Sequence, residues 1–363
     1  MPERVGVVVK IGIVDYAIYL PDETITAEEL STLVSVPVDV LREKMGINKK
    51  RVGGKADQPG IMAVKSCKGL LAKTKFNPLD IDMILYAGET YAEHICWTVG
   101  TMIQHELGAE NAYAWDLSFR CAGLPLALKV AKDMMLSDAN LNNVIVCCGN
   151  NNAQLVDYKD RHQSFMFNMG PGAFAMLLRR GHSENEILET GIITDALFHS
   201  DVKVETGGSL NPLTQEMVME MAEDSEKTRK FSLLTLPDPE GMKKRLGERS
   251  LKNFSAAVRM ACERSGINAS DIDFIGVVHI GNRAHYGLMD ELGIDREKTV
   301  FLWDDGHCGQ VDPLLATDYG IREGKVKNGD LVAWVGAGTG YAFACTIIRW
   351  GELKNEKDRE VVT

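Results

Sequence analysis

The chain passes from a strand into a helix within the run AWDLSFRCAGLPLAL, residues 114–128. Leu117 ends an apolar stretch typical of a strand, whereas the apolar positions from Leu124 onward recur at helical spacing. Cys121 therefore lies at the start of a helix, where unpaired N–H groups and the helix dipole favour the nucleophilic thiolate. The small residues that follow it leave room for a substrate carbonyl. On its own, the run predicts either a catalytic thiol or a buried structural cysteine.

Two pairs of similar segments occur in the same order in the two halves of the chain. NPLDIDMI at 77–84 resembles NASDIDFI at 268–275, and GAFAMLLRRG at 172–181 resembles GYAFACTIIRWG at 340–351. Between them, strands alternate with helices, as expected of largely parallel sheets covered on both faces. We therefore predict two similar α/β halves that meet near residue 185. The predicted strands between the paired segments lie at 83–87, 112–117, 143–148, 274–280, 300–303 and 331–335.

The repeat also places candidate functional groups. It aligns the helix after Cys121 with the helix after His307, and a strand that ends at His279 supplies a third group. If a pseudo-twofold axis relates the halves, the starts of the two helices face each other. Residues 195–250 have no counterpart in the first half. We interpret them as an insertion that either covers a substrate entrance or forms a solvated surface excursion.

Composition limits the class of protein. The 363 residues are 45% hydrophobic and carry a net charge of −11, which argues against nucleic acid or anionic membranes as main partners. No uninterrupted apolar run is long enough to span a bilayer, and the start MPERV does not resemble a signal peptide. The eight cysteines include no CxxC pair, so we expect reduced thiols in a cytoplasmic protein and no metal site.

Five short motifs follow one another in a specific order. They are GINKKR at 46–51, RCAGL at 120–124, NMGPGA at 168–173, VHIGN at 278–282 and GAGTGY at 336–341. Each motif is weak alone. In their order and spacing they resemble the ketoacyl-ACP synthase III branch of the thiolase superfamily, which has a Gly-Ile-x-x-Arg signal, an Ala-Cys-Ser-Gly-Phe-like nucleophile run, a Gly-Asp-Gly-Ala-Gly-Ala run, a Pro-His-Gln-Ala-Asn-like run and a glycine-rich strand near the end.

The resemblance implies a duplicated thiolase-like α/β fold. Two βαβαβαββ-type halves would form a layered α/β/α/β/α core, with residues 1–185 carrying the nucleophile and residues 186–363 carrying the catalytic histidines and the insertion near 195–250. It also implies a condensing enzyme that is acylated on Cys121 and works by ping-pong chemistry as a homodimer. The leading reaction is a decarboxylative Claisen condensation with a malonyl thioester. Acyl-CoA or acyl carrier protein would be the substrate and partner, and no tightly bound cofactor is expected.

The resemblance assigns roles to the catalytic candidates. Cys121 would attack a thioester, and His279 would activate the thiol and donate a hydrogen bond in the second step. His307 stands where the family has Asn and would be the second donor to the thioester oxygen. An alignment with a gap brings Asp312 into play instead. The backbone N–H groups of Cys121 and of the run 338–340 would form the oxyanion hole.

Further positions are expected to contact the substrate. Gly338 and Thr339 belong to the oxyanion run, and Asn282 closes the histidine motif. Cys96 lies in the stretch where the family usually narrows the acyl pocket with a large aromatic residue. Arg51 could contact a phosphate of coenzyme or carrier, because a guanidinium group suits phosphate.

Three alternatives remain open from the sequence. Acyl transfer to a hydroxyl or amine would be favoured if Asp312, rather than His307, supports His279. An enzyme similar to 3-hydroxy-3-methylglutaryl-CoA synthase could use Glu89 as its acid. From another class, the chain could be an inactive partner subunit, although retention of Cys121 and His279 argues against this. The sequence does not identify the acyl donor or acceptor.

Overall fold

The computed structural model describes residues 9–339 and 341–352. Its strands are β1 (Ile11–Tyr19), β2 (Thr24–Thr26), β3 (Lys49–Arg51), β4 (Met83–Gly88), β5 (Tyr113–Ser118), β6 (Asn143–Asn150), β7 (Gly172–Arg180), β8 (Glu186–Thr194), β9 (Phe274–Val277), β10 (Leu331–Gly338) and β11 (Ala342–Arg349). Its α-helices are α1 (Ala27–Val34), α2 (Pro59–Thr74), α3 (Val99–Leu107), α4 (Gly123–Ser137), α5 (Gln215–Glu223), α6 (Ser225–Ser232), α7 (Pro239–Arg264), α8 (Asn282–Leu292) and α9 (Asp312–Arg322).

The strands repeat one order in the two halves of the chain. The large sheet runs β5-β4-β6-β7-β1-β8-β11-β10-β9, with β2 and β3 forming a separate small sheet. Outward from its centre, β1, β7, β6 and β4 match β8, β11, β10 and β9. The first strands of the two halves meet at the centre, where Gly12 lies opposite Glu186 in antiparallel register. The duplication is therefore visible in the topology, whereas the division of the chain at residue 185 stays a prediction.

One expected strand is absent from the described structure. The sequence predicts a strand at 300–303, but the structure forms no strand there. Beside β9, Ile275 N–H donates to Lys298 O at 2.8 Å. Trp303 O instead accepts from Asn48 N–H at 2.8 Å. The segment leaves the sheet because its backbone bonds to the chain around β3.

Helices form three layers around the two halves of the sheet. The central layer contains α4 and α9, whose apolar residues share one core with strands of both halves. Helix α4 contributes a regular stripe at three- and four-residue spacing: Leu124, Ala127, Leu128, Ala131 and Met135. Helices α2 and α3 cover the outer face of the first half, and α7 and α8 that of the second. The α/β/α/β/α arrangement expected from the sequence is confirmed.

The segment between β8 and α7 lies over a loop of the first half. Leu234 N–H donates to Leu155 O at 2.8 Å, and Arg229 forms an ion pair with Asp157 at 3.2 Å. Gln163 adds a bond from its Nε2 to Leu234 O at 2.7 Å. The segment is thus fixed to residues 152–169. Within the described ranges, no helix combines the length and apolar character needed to cross a membrane.

Candidate active site

Cys121 lies in a single 3₁₀ turn, Arg120–Ala122, between β5 and α4. It is 5% exposed. The backbone of β10 packs directly against this turn: a Cβ at Gly336 would lie 2.8 Å from Cys121 O, and one at Gly338 would lie 3.1 Å from Cys121 N. Side chains at these two positions would displace the nucleophile. The predicted site residue Gly338 therefore has a clear structural role, which is to let β10 support the turn.

His307 and Asp312 lie at the start of α9, in the second half. Asp312 is fully buried, and its Oδ2 lies 2.5 Å from His307 Nδ1. The same carboxylate accepts the backbone N–H groups of His279 at 2.7 Å and Cys308 at 2.8 Å. The His307 ring and the Cys121 thiol interact electrostatically, since His307 lowers the pKa of the thiol and the thiol raises the pKa of His307. Because Asp312 occupies Nδ1, Nε2 is the nitrogen available to the sulfur, and the three residues form a nucleophile, base and orienting group.

The first half holds the backbone of His307 in place. His307 N–H donates to Asn168 O at 2.7 Å, and Gly170 N–H donates to His307 O at 2.9 Å. The segment around Met169 thereby forms a short parallel bridge with His307. The base from the second half is thus bonded on both sides to the loop that precedes β7.

Charge and burial have opposing effects on the pKa values of His307 and Cys121. Burial by itself disfavours the His307 cation, but the Asp312 carboxylate and the Cys121 thiol outweigh it and raise the pKa of His307 well above its usual value. Burial also raises the pKa of the Cys121 thiol, and the nearby carboxylates add to that rise, whereas His307 opposes it. The thiolate is therefore favoured only while His307 carries the proton.

The structure binds the His279 ring to groups other than the thiol, whereas we expected it to activate Cys121. The ring Nδ1 accepts from Asn168 Nδ2 at 2.8 Å, which leaves Nε2 to donate to Gly46 O at 3.1 Å. The ring packs on Phe301 with a centroid distance of 4.8 Å, and burial lowers the pKa of His279. In the described part of the chain, no hydrogen bond joins this ring to Cys121. Both ring nitrogens of His279 are engaged by Asn168 and Gly46.

Glu89 approaches the sulfur from the end of β4. Its Oε1 lies 3.8 Å from Cys121 Sγ, and its side chain is 1% exposed. Burial raises the pKa of Glu89 although Arg120 opposes the rise. From the sequence, Glu89 is a candidate only as the acid of an enzyme similar to 3-hydroxy-3-methylglutaryl-CoA synthase. The signal for a wider role was its place directly after a buried parallel strand, where ligands commonly bind.

The other predicted site residues differ in their surroundings, and only some of them line the cavity with Cys121. Thr339 lines the same cavity as Cys121, whereas Gly340 lies outside the described residues. Asn282 begins α8 and donates to Glu43 O at 2.7 Å. Cys96 is exposed, in a left-handed conformation with φ 56°. Arg51 is bound by Asp305 through two bonds of 2.8 and 2.7 Å, so its guanidinium group is engaged within the protein.

A cavity of about 620 Å³ opens onto Cys121. The insertion supplies part of its wall, as one of our two interpretations expected. Its apolar lining includes Leu155, Met166, Met169, Val202, Phe231 and Leu234. Charged and polar groups, including Glu89 and Arg120, lie beside the thiol. The cavity therefore has an apolar wall for a hydrocarbon group and a polar end at the nucleophile.

We expect Glu89→Gln to shift the alkylation of Cys121 to lower pH. Thiols ionise at alkaline pH, where the Glu89 carboxylate is charged and raises the pKa of Cys121. Removing that charge lowers the thiol pKa, so the thiolate forms earlier as pH rises. Peptide-level mass spectrometry after iodoacetamide pulses at a series of pH values measures this shift.

Glu93→Gln is the matched control for Glu89→Gln. Glu93 lines the same cavity but accepts from Ile61 N–H at 3.0 Å, a bond that glutamine can keep. Its alkylation profile should match that of the wild type. A Glu89→Gln profile that is unchanged, or displaced to higher pH, contradicts the electrostatic role of Glu89.

Two family models match separate parts of the chain. The model described as 3-oxoacyl-[acyl-carrier-protein (ACP)] synthase III matches residues 115–196, and its C-terminal counterpart matches residues 262–350. The first match includes the nucleophile turn and the second includes His279, His307 and Asp312. The nucleophile turn and the segment that carries His307 and Asp312 thus both fall within matched regions.

Similar proteins extend the match to nearly the whole chain. The β-ketoacyl-[acyl-carrier-protein] synthase III of Natranaerobius thermophilus is 27% identical over 341 residues, covering 91% of this chain and 96% of the relative. The crystal structure of 3-oxoacyl-[acyl-carrier-protein] synthase III from Aquifex aeolicus superposes with a TM-score of 0.78 at 21% identity, covering 94% of this chain and all of the other. A priming β-ketosynthase from a polyketide pathway gives a TM-score of 0.80 at 22% identity, covering 95% and 97%.

Proposed function

We propose that the chain is an enzyme of the 3-oxoacyl-ACP synthase III type in the thiolase superfamily, and that it condenses acyl thioesters through an acyl group carried on Cys121. The observation that carries this proposal is the Cys121 thiol at the cavity wall, together with a His307 ring that interacts with the thiol and bonds to Asp312 at 2.5 Å. A buried thiol beside a histidine that a carboxylate orients is the arrangement required for acyl transfer.

In the first half-reaction, His307 accepts the proton of the Cys121 thiol. The thiolate attacks the thioester carbonyl, and backbone N–H groups of the nucleophile turn and of the segment around Thr339 stabilise the oxyanion. Collapse of the tetrahedral intermediate breaks the bond to the departing thiol, which takes the proton from His307. The acyl group is then covalently bound to Cys121. Asp312 keeps His307 in one tautomer during both proton transfers.

In the second half-reaction, a malonyl thioester loses its carboxylate as CO₂. The resulting enolate carbon attacks the acyl carbonyl, and Cys121 leaves as the second product forms, a 3-oxoacyl thioester. His307, whose pKa Asp312 raises, takes up a proton from solvent before this step and donates a hydrogen bond to the enolate oxygen, where negative charge develops. It then returns the proton to the Cys121 thiolate that leaves. Since the His279 ring is bonded to Asn168 and Gly46, this donation falls to His307.

The arrangement around Asp312 bears on acyl transfer to a hydroxyl or amine. We expected that reaction if Asp312 supported the His279 ring. Asp312 instead pairs with the His307 ring and accepts only the backbone N–H of His279. The geometry therefore supports condensation, and the intact Cys121–His307 pair supports an active subunit.

The proposal is tested by following the acyl group through both steps. The protein is incubated with butyryl-CoA, and the adduct on Cys121 is measured by mass spectrometry. Addition of malonyl-CoA or malonyl-ACP should discharge the adduct, with one CO₂ released for each 3-oxoacyl thioester formed. Acetyl-CoA is the matched control that lacks the carboxylate. An adduct that malonyl thioesters leave intact, but alcohols or amines discharge, contradicts the proposal.

We further propose that the protein acts as a homodimer through strand β5. This strand lies at the outer edge of the large sheet, and among the described strands it pairs with β4 alone. None of its residues is buried. An unprotected sheet edge favours pairing with a second copy. Pairing through β5 would place the two nucleophile turns near the dimer interface, because β5 leads directly into Arg120–Ala122.

A further inference from the structure

We propose that Arg120 binds a carboxylate on the acyl group that Cys121 carries, so that the acyl donor is the thioester of a short dicarboxylic acid. This inference rests on the proposed acylation of Cys121, and it adds a substrate class to that function. It starts from the residue that immediately precedes the nucleophile.

The backbone directs the Arg120 side chain into the cavity. Arg120 has φ 54°, in the left-handed region that residues with a side chain rarely adopt. A Cβ at Gly338 would lie 2.6 Å from the Arg120 Cβ, so β10 packs against the base of this side chain. The side chain is 40% exposed and lines the cavity that contains Cys121. The strained turn therefore sets a cation beside the thiol.

The guanidinium group retains donors for a ligand. Nη1 donates to Thr90 Oγ1 at 2.5 Å and lies 3.4 Å from Glu89 Oε2. In residues 9–339 and 341–352, no protein group accepts from Nε or Nη2. A guanidinium group offers parallel N–H donors that match the two oxygens of a carboxylate. Arg120 can thus keep its contact with Thr90 while it binds a substrate carboxylate.

The separation between Arg120 and the sulfur sets the length of the acyl group. The Glu89 carboxylate contacts both, with one oxygen 3.8 Å from Sγ and the other 3.4 Å from the guanidinium group. A single carboxylate therefore spans the gap. An acyl chain with only a few methylene groups, such as succinyl or glutaryl, can place its thioester carbon at Cys121 and its free carboxylate at Arg120.

The carboxylate that Arg120 binds is that of the acyl group and not that of a malonyl thioester. A bond to the malonyl carboxylate would stabilise the charge that must be lost as CO₂, and it would therefore slow the reaction. Lys203 also lines the cavity, and its single ammonium group is paired with Glu205 at 3.2 Å, whereas Arg120 has further N–H groups beyond its 3.4 Å contact with Glu89. Arg120 is accordingly the cation suited to an acyl carboxylate at the thiol.

The test compares loading of Cys121 from glutaryl-CoA and from valeryl-CoA, an uncharged acyl group of the same carbon number. Initial rates of adduct formation are measured by mass spectrometry. We expect the wild type to load glutaryl faster by roughly 10- to 100-fold, the range for a hydrogen bond to a charged group. Arg120→Gln should bring the ratio of the two rates close to one, whereas Arg120→Lys should keep part of the preference. Lys203→Gln is the matched control and should keep the wild-type ratio.

Three other results of the loading experiment would overturn the inference. Equal loading of the two thioesters by the wild type overturns the role of Arg120 in substrate choice. A variant Arg120→Gln that loads both thioesters more slowly by the same factor shows that Arg120 only supports the turn, which also overturns the inference. If no thioester acylates Cys121, the proposed function fails first and the inference fails with it.

Discussion

Replacing Cys121 with alanine is expected to abolish acylation and condensation. Cys121 supplies the thiol that interacts with the His307 base, and the loss of such a nucleophile commonly lowers the rate by roughly 10⁴- to 10⁶-fold. The measurement combines intact-protein mass spectrometry after incubation with an acyl-CoA and the rate of 3-oxoacyl thioester formation. Cys121→Ser should also lose the thioester adduct.

Cys262→Ala is the control for the cysteine substitution. Cys262 is buried in the core of the second half, and burial raises its pKa to about 11, so it is a poor nucleophile at neutral pH. This variant should be acylated on Cys121 like the wild type. An adduct that survives in Cys121→Ala and maps to another cysteine would refute the assignment.

The second large effect is expected from Asp312→Asn. Without the carboxylate, the pKa of His307 falls because burial is no longer outweighed, and an amide can hold the ring in the wrong tautomer. Loss of an orienting carboxylate from such a group costs roughly 10²- to 10⁴-fold in rate. Rapid-quench measurement of Cys121 acylation determines the size of this effect.

Asp312 also accepts two backbone N–H groups, so its substitution affects both the reaction and the folding of this segment. A second variant distinguishes the effect on the acylation rate from the effect on folding. His307→Gln breaks no backbone bond of Asp312 and should lose acylation by a similar factor, while a thermal melt shows whether either variant is folded. His279→Gln is the discriminating variant. Because the His279 ring makes no described hydrogen bond with the thiol, it should keep most of the acylation rate. Equal losses in His279→Gln and His307→Gln would contradict the geometry.

The sequence predicted the nucleophile turn and the duplication correctly for one physical reason. A change from strand to helix spacing and an ordered repeat depend on neighbouring residues, so both can be read locally. The layers of the fold were implied by the resemblance, and the order of motifs indicated the family whose models match residues 115–196 and 262–350. Local patterns are therefore sufficient for the architecture around Cys121.

The orientation of His279 could not be predicted in the same way. Its motif fixes its position after β9, but Asn168 and Gly46, which belong to distant segments, decide where its ring points. The missing strand at 300–303 has the same cause, since the segment around β3 competes for its backbone. Such outcomes depend on tertiary hydrogen bonds that no short pattern encodes. For Glu89, the sequence indicated the position at the end of a strand but did not decide which role the carboxylate has.

The bonds between His307 and the loop before β7 have a consequence for any exchange of the two halves between related proteins. The first half supplies the nucleophile and the second half supplies the base, and the backbone of the base is tied to Asn168 and Gly170 of the first half. Neither half possesses a working set of groups. Each half therefore depends on the other for a group that the reaction needs. An exchange of either half between related proteins must preserve the backbone bonds of His307 to Asn168 and Gly170.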